Sequence, residues 1–377
     1  MATGAPKDLR LLALAGGVWL ALACGHTDPF TTSPPVTQQP FDPAPPIRLT
    51  YNAGADRFAS WLPDGSGILY SAQQVDRPDH DLCLAMLPPD GGTQTRLICD
   101  FTRLGRDTTN AIESAVLSPA GQLAFFKSRS DVGDPRPTVS AVAVGTSLDP
   151  VTAQEVQRIP YTLPGELPVS GISALRWQTE DRLLYVGGLV TQRVPCENCP
   201  ILDTIRTGYK ITQLDLGVPG SLPAPVPGTD FASGLALSGA DEILYTLSGD
   251  SRVYRRSLST GGTGIAFDFG AAGVARDLDV AGGRLAAVVG GRVHFSVDPE
   301  LGPIQWDSGG VLHVVDLATG EDHTLDPGRR LFRRPALSPG GDRLVAEGSE
   351  LIIVPVAEAV IDTTVSKATD LFLLAVP

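Results

Sequence analysis

The chain has 377 residues and a formal charge of −13, with 42 Asp and Glu against 29 Lys and Arg, a balance that disfavours nucleic acid as a partner. Hydrophobic residues make up 42%, enough for a large core and too many for general disorder. The 41 Gly and 32 Pro, beside only two Met and 6% aromatics, point to many turns between short strands rather than a helical bundle.

The N-terminus reads as an address. Lys7 and Arg10 supply positive charge, with Asp8 intruding, and 11–23 is an apolar run. A bilayer span needs about 20 such residues, so this run fits the h-region of a signal peptide better. It ends Leu20-Ala21-Leu22-Ala23-Cys24, which resembles a bacterial lipobox, where the cysteine after the cut receives diacylglycerol. Ala21 stands where that motif usually has Leu, and Ala21 with Ala23 would also suit ordinary signal peptidase and plain secretion. The resemblance implies lipidation at Cys24 and stable attachment, since two acyl chains hold where one is marginal. Residues 25–46 are Pro-rich and polar, which blocks both helix and ladder pairing. At ~3.1 Å per residue this tether would reach roughly 70 Å. The expected organisation is a signal peptide over 1–23, a lipidated cysteine and tether over 24–46, and one domain over 47–377.

From about residue 47 one pattern recurs: a short apolar strand, a Pro/Gly/Asp turn, then a second apolar strand. Its copies are FASWLPDGSGILYS (58–71), SAVLSPAGQLAFF (114–126), SALRWQTEDRLLYV (173–186), SGLALSGADEILYTL (233–247), ARDLDVAGGRLAAVV (275–289) and RPALSPGGDRLVAEG (334–348). Trp61, Leu117, Trp177, Leu237, Leu278 and Leu337 index the ends of the six first strands. Each hairpin is followed by further strand-like segments, giving about four strands per unit of roughly 55 residues, the pattern of propeller blades. Examples are 82–87 with 95–99, and 252–258 with 265–269. The last unit has only 370–377 after its hairpin, and Ile47-Arg48-Leu49-Thr50 is expected to supply its fourth strand. The predicted fold is all-β: a six-bladed propeller of four-stranded antiparallel blades, closed by the N-terminal strand in the last blade, a closure that leaves no long unpaired edge.

The turns Ser60-Trp61-Leu62-Pro63-Asp64-Gly65, Leu117-Ser118-Pro119-Ala120-Gly121 and Leu337-Ser338-Pro339-Gly340-Gly341 resemble the hairpin motif of the TolB-like propellers of bacterial envelopes. The closing pair 370–374 with 48–50 resembles that family's split blade. The resemblance covers nearly all of the chain after the tether. It implies a fold and an envelope location, and its motif has low specificity for function. TolB itself has a small α/β domain before its propeller, where this chain has a tether, so TolB's partnership with a peptidoglycan-associated lipoprotein is not carried over.

Beyond Cys24 four cysteines remain, an even number in an oxidising compartment. Cys83 and Cys99 fall opposite each other if the turn between their strands centres on Gly91, which predicts a cross-strand disulfide, with two buried thiols as the alternative. Cys196 and Cys199 sit in a Pro-flanked CxxC, read as a local disulfide. A redox role would want a helix N-terminus at the first cysteine, and zinc would want a second ligand pair. No metal or cofactor is predicted. Asp76, Asp79, His80 and Asp81 read as a solvated loop, and His294 and His313 as structural residues on strands.

The chain has no G-x-S-x-G, H-E-x-x-H or phosphate-loop motif. Loops leading into the innermost strands carry Arg57, Glu113, Arg276, Arg333 and Arg334, read as scattered surface charge or as a binding rim at the channel. The expected function is that of a non-catalytic, membrane-tethered envelope protein, monomeric, with the propeller as a scaffold for an unidentified envelope protein. The alternatives are a lyase or hydrolase acting at the pore mouth, and a sensor of a small ligand or carbohydrate. Fold alone does not decide among them.

Overall fold

The computed structural model describes residues 46–377 except 52–53, 74–81, 100–107, 132–136, 159–173, 195–203, 219, 292, 299–301, 308, 328–329, 358–359 and 366–368. Cys24, the tether, Cys196, Cys199 and the 76–81 acidic loop lie outside the described residues. The described chain is all-β, with two short 3-10 turns at Pro150–Thr152 and Gly270–Ala272.

Six inner strands, Asp56–Trp61, Thr108–Leu117, Leu175–Thr179, Ala232–Leu237, Ala275–Ala281 and Arg330–Leu337, contact one another in that order, and the last contacts the first. The arrangement is propeller-like, with the ring joined by packing and not by one continuous sheet. The strand pairing departs from six separate blades: the sheets have five, eight, four, eight and two strands, and none closes on itself. Two local causes account for this. Each eight-stranded sheet is two four-stranded meanders touching through one bridge, Leu82 with Ala111 in one and Tyr209 with Ala232 in the other. Hairpins also extend the last two units: Val293–Asp298 pairs with Gly302–Asp307, and Val360–Val365 pairs with the far end of Arg343–Ala357.

The expected seam is present. Ile47 lies opposite Leu373 and Arg48 opposite Phe372. Leu49 N–H donates to Leu371 O at 2.7 Å, and Arg48 pairs with Asp370 at 2.7 Å. The index Trp residues stitch neighbouring units. Trp61 Nε1 donates to Ala336 O at 3.0 Å and Trp177 Nε1 to Val116 O at 3.3 Å, which gives the buried Trp61 and the half-buried Trp177 their polar partners. Apolar clusters fill the spaces between neighbouring sheets; one joins Trp61, Tyr70, Val345 and Leu371 from the first and last units.

The hairpin turns follow from their residues. Asp64 Oδ1 accepts from Ser66 N and Ser66 Oγ at 2.9 and 2.7 Å, while Gly65 takes the left-handed φ of 71° that closes the turn. The fifth hairpin corrects the indexing. Val280 opposes Leu285 and Ala281 opposes Arg284, so that strand runs on past Leu278 and ends at Ala281. Its turn is the Gly282-Gly283 pair, with φ of 55° and 77°. A Cβ on Gly282 would meet the carbonyl carbon of Gly340 at 2.7 Å. Gly282→Ala is therefore expected to lose about 1–3 kcal/mol. Urea unfolding measures this, and an unchanged midpoint would reject the tight packing of the two turns.

Cys83 and Cys99 form the predicted disulfide, with Cα atoms 4.4 Å apart. Leu84 opposes Ile98 and Ala85 opposes Leu97, so the two cysteines occupy the next register step. The bridge pins an outer strand of only three residues, Arg96–Ile98.

Candidate binding site

Most of the inner strands carry a β-bulge before their hairpin turn. The register shifts between Arg57 and Ser60, Glu113 and Val116, Ala232 and Gly234, Ala275 and Leu278, and Arg333 and Ala336. Three residues before the strand end, three units hold a non-glycine residue in the left-handed region: Phe58 at 57°, Ser114 at 51° and Arg334 at 45°. Such a residue costs energy unless its surroundings hold it. Carboxylates do so here. Phe58 N–H donates to Glu347 Oε1 at 2.6 Å, and Arg334 N–H donates to Asp277 Oδ2 at 3.1 Å.

These bulges build a charged cluster at one end of the central channel. Glu347 is fully buried, and its Oε2 takes Arg334 Nη1 at 2.8 Å. The Arg334 guanidinium lies 4.2 Å above the centre of the Phe58 ring, a cation–π contact. Burial pushes the Glu113 carboxyl above the usual carboxylate range, opposed by Arg334 and Arg57 and reinforced by Glu347. Burial likewise lowers Arg57, partly offset by Glu347 and Glu113 and reinforced by Arg334.

Of the five charges picked from the sequence, the structure thus brings Arg57, Glu113 and Arg334 together. Arg333, opposite Glu347 in the strand register, donates from Nη2 to Ser349 Oγ at 3.0 Å. Arg276 Nη2 lies against the backbone at Gly291. Sequence reasoning missed Glu347 and Asp277, which hold the cluster. Glu347 had a signal: it is a lone charge in the apolar run Leu344-Val345-Ala346-Glu347, where an acid needs a buried partner.

Below the cluster, Ser60, Ser114, Val116, Arg176, Asp277 and Arg334 help line a cavity of about 30 Å³, room for one or two waters. Beyond it, Arg176 of the third inner strand pairs with Asp279 of the fifth at 3.2 Å, and Asp279 Oδ2 accepts from Leu337 N at 2.8 Å. The space left between the inner strands therefore admits little more than water. His313 belongs elsewhere: its Nδ1 meets the Asp322 carboxylate at 2.9 Å and its ring packs edge-on to Phe269, on outer strands. Among the described residues no group of three His, Cys, Asp or Glu is arranged to hold a metal ion.

The raised Glu113 carboxyl has a pH consequence. A carboxyl that is harder to ionise in the folded state favours folding while protonated. Its contribution is complete below the unfolded value of about 4.3 and is lost as pH rises toward the folded value. Glu113→Gln should therefore be more stable than the parent at neutral pH, with the gap closing near pH 4. Urea midpoints between pH 4 and 8 test this, and parallel curves would reject it.

No protein-family model matches the chain, and no curated protein matches it. Solved structures do. TolB from Acinetobacter baumannii aligns over 82% of this chain and 64% of its own, at 15% identity and a TM-score of 0.48. The calcium-binding protein regucalcin from Agrobacterium tumefaciens aligns over 89% and 94%, at 13% identity and 0.49. The PQQ-bound aldose sugar dehydrogenase from Streptomyces coelicolor aligns over 87% and 96%, at 14% identity and 0.46. These likenesses do not single out TolB.

Proposed function

We propose that this protein is a six-bladed, TolB-like propeller tethered to a bacterial envelope membrane through Cys24, and that it acts by binding a partner protein and not by catalysis. The observation that carries the reading is the use of the carboxylates at the channel mouth. Glu347 is committed to Phe58 N and Arg334, and Asp277 to Arg334 N. Groups held this way fix the shape of the cluster. A general acid or base needs a free proton-transfer position toward a substrate. The split last unit, with Ile47–Arg48 beside Asp370–Ala375, supports the six-bladed reading.

Two measurements test the proposal. Mass spectrometry of the mature N-terminal peptide should find diacylglycerol on Cys24, whereas an unmodified Cys24 on a freely soluble exported protein would sink the tether. Glu113, with its raised carboxyl, is the acid an enzyme would use here. Turnover of a lactone, polysaccharide or peptide that disappears in Glu113→Gln would replace the binding reading with an enzyme.

A further inference from the structure

The chain enters the ring through a very short strand. The outer strands of the first, second, fourth and fifth units are Arg96–Ile98, Gln154–Arg158, Thr263–Asp268 and Asp322–Leu325, three to six residues long. That of the last unit is Ile47–Arg48, two residues, paired at Leu373 and Phe372. The third unit's Ala224–Pro225 is as short, but it joins elements within the ring and does not follow the tether.

Among the described residues few contacts hold this entering segment. Leu49 N–H donates to Leu371 O at 2.7 Å, and Leu371 N–H donates back to Thr50 Oγ1 at 2.9 Å. Arg48 pairs with Asp370, but its side chain is 37% exposed, and such pairs contribute little. Leu49 is buried, packed with Trp61, Leu87 and Leu371 and set against Gly91, where a Cβ would stand 2.7 Å from its Cδ2. Ile47 and Tyr51, on either side, are 57% and 58% exposed. One buried leucine and a short ladder thus offset the conformational entropy of ordering the segment, and the balance is small.

A second set of bonds closes the ring without this segment. Asp56 N–H donates to Thr369 O at 2.8 Å, and Thr369 Oγ1 donates to Asp56 O at 2.9 Å. Phe58 N–H and the Trp61 indole reach Glu347 and Ala336. Each of these joins the first unit to the last, and Asp56, Thr369 and Glu347 have no solvent exposure. Ala55 exchanges hydrogen bonds with Gln73, which fixes the chain to the first unit just ahead of this inner layer. The seam therefore has two layers, and the outer one at 47–50 can part while the inner one stays closed.

We infer that residues 47–50 form a strap that opens as its own unit, with the ring shut, and so gives the tether slack under load. The opening follows from the two layers of the seam; the slack role rests on the tethered reading above. A pull on the tether acts first on 47–50, because these residues lie between the tether and the fixed Ala55. Release back to Ala55 frees the nine residues 47–55, up to about 30 Å of chain. The outer edge of Asp370–Ala375 is then bare, and its unpaired backbone groups and the empty Leu49 site favour reclosure when the load ends.

Native-state hydrogen exchange on the full-length protein tests the opening. The Leu49 and Leu371 amides, bonded across the strap, should exchange about 100-fold or more faster than the Asp56 and Phe58 amides, bonded across the inner layer. Leu49→Ala should speed exchange at Leu371 about tenfold or more and leave Asp56 and Phe58 unchanged. An oxidised cross-link from Ile47→Cys with Leu373→Cys, at facing positions, should slow Leu371 to the rate of the inner amides. Pulling the full-length chain between residue 24 and Pro377 should give a first step of about 30 Å before the ring unfolds, and the cross-linked variant should lack it. Equal rates at Leu371 and Asp56 in the parent, or acceleration of all four amides together by Leu49→Ala, would overturn the strap. The cross-linked variant keeps the test decisive if Leu49→Ala fails to fold. Absence of the first step would overturn the slack role. An unmodified Cys24 would sink the tethered reading and leave the exchange rates as expected, so the two failures are told apart.

Discussion

Glu347→Ala should be among the most damaging single substitutions in the domain, with an expected loss on the order of 3–5 kcal/mol. Glu347 has no solvent exposure and spans the seam between the last unit and the first, with Oε1 on Phe58 N at 2.6 Å and Oε2 on Arg334 Nη1 at 2.8 Å. Alanine would remove both acceptors at once. The Phe58 amide would stay turned inward by its left-handed φ, and a buried donor without a partner costs about 1–3 kcal/mol by itself. Arg334 would lose its counter-charge beside Arg57, whose guanidinium it already disfavours. Glu347→Gln keeps an oxygen for Phe58 and loses only the charge, so its loss should be intermediate. The measurement is the urea midpoint at unchanged m-value. A loss below about 1 kcal/mol for the alanine variant would show that the seam does not depend on this carboxylate.

The features legible in the sequence are those with local causes. The turn Pro63-Asp64-Gly65 is fixed by the φ of its own residues and by Ser66, so the hairpins could be read one at a time. The closing strand was legible because 47–50 and 322–325 precede their hairpins at matching distances. Sheet boundaries were not legible. Whether two meanders count as one sheet depends on a single bridge such as Leu82 with Ala111, which no periodicity encodes. The long hairpins were missed for a different reason. The polar stretch Glu347-Gly348-Ser349-Glu350 separates two apolar runs, and nothing in the pattern says that one strand runs through both.

The site divides along the same line. Arg57 and Glu113 fall four residues before Trp61 and Leu117, and Arg334 three before Leu337, so position along the repeat picked them out, although each lies within its inner strand and not in a loop leading into it. Where each charge of the rim points depends on the bulge, which the sequence does not show. Two consecutive residues, Arg333 and Arg334, reach Ser349 and Glu347 respectively. Asp277 and Asp279 serve amides in the neighbouring unit, at Arg334 and Leu337. Such partners are fixed only when the ring closes, and charge patterning along one strand does not reveal them.

Replacing both Cys83 and Cys99 by alanine should cost on the order of 3 kcal/mol, the chain-entropy expectation for a loop of this size. The bridge spans a sequence separation of 16, so it restricts a short stretch of the unfolded chain. In the folded state both cysteines are buried, and alanine fits without introducing a polar group. The loss should have a place as well as a size. Arg96–Ile98 pairs with the preceding strand over only Leu84 to Met86, so without the bridge this outer strand should fray first. Hydrogen exchange should therefore speed up at 96–98 while the inner strand Asp56–Trp61 keeps its protection. Reduction of the parent protein under native conditions should be slow until that edge opens, because both sulfurs are shielded from solvent. Free thiols at both positions in the purified native protein, or a double variant within about 1 kcal/mol of the parent, would show that the outer strand is held by packing alone.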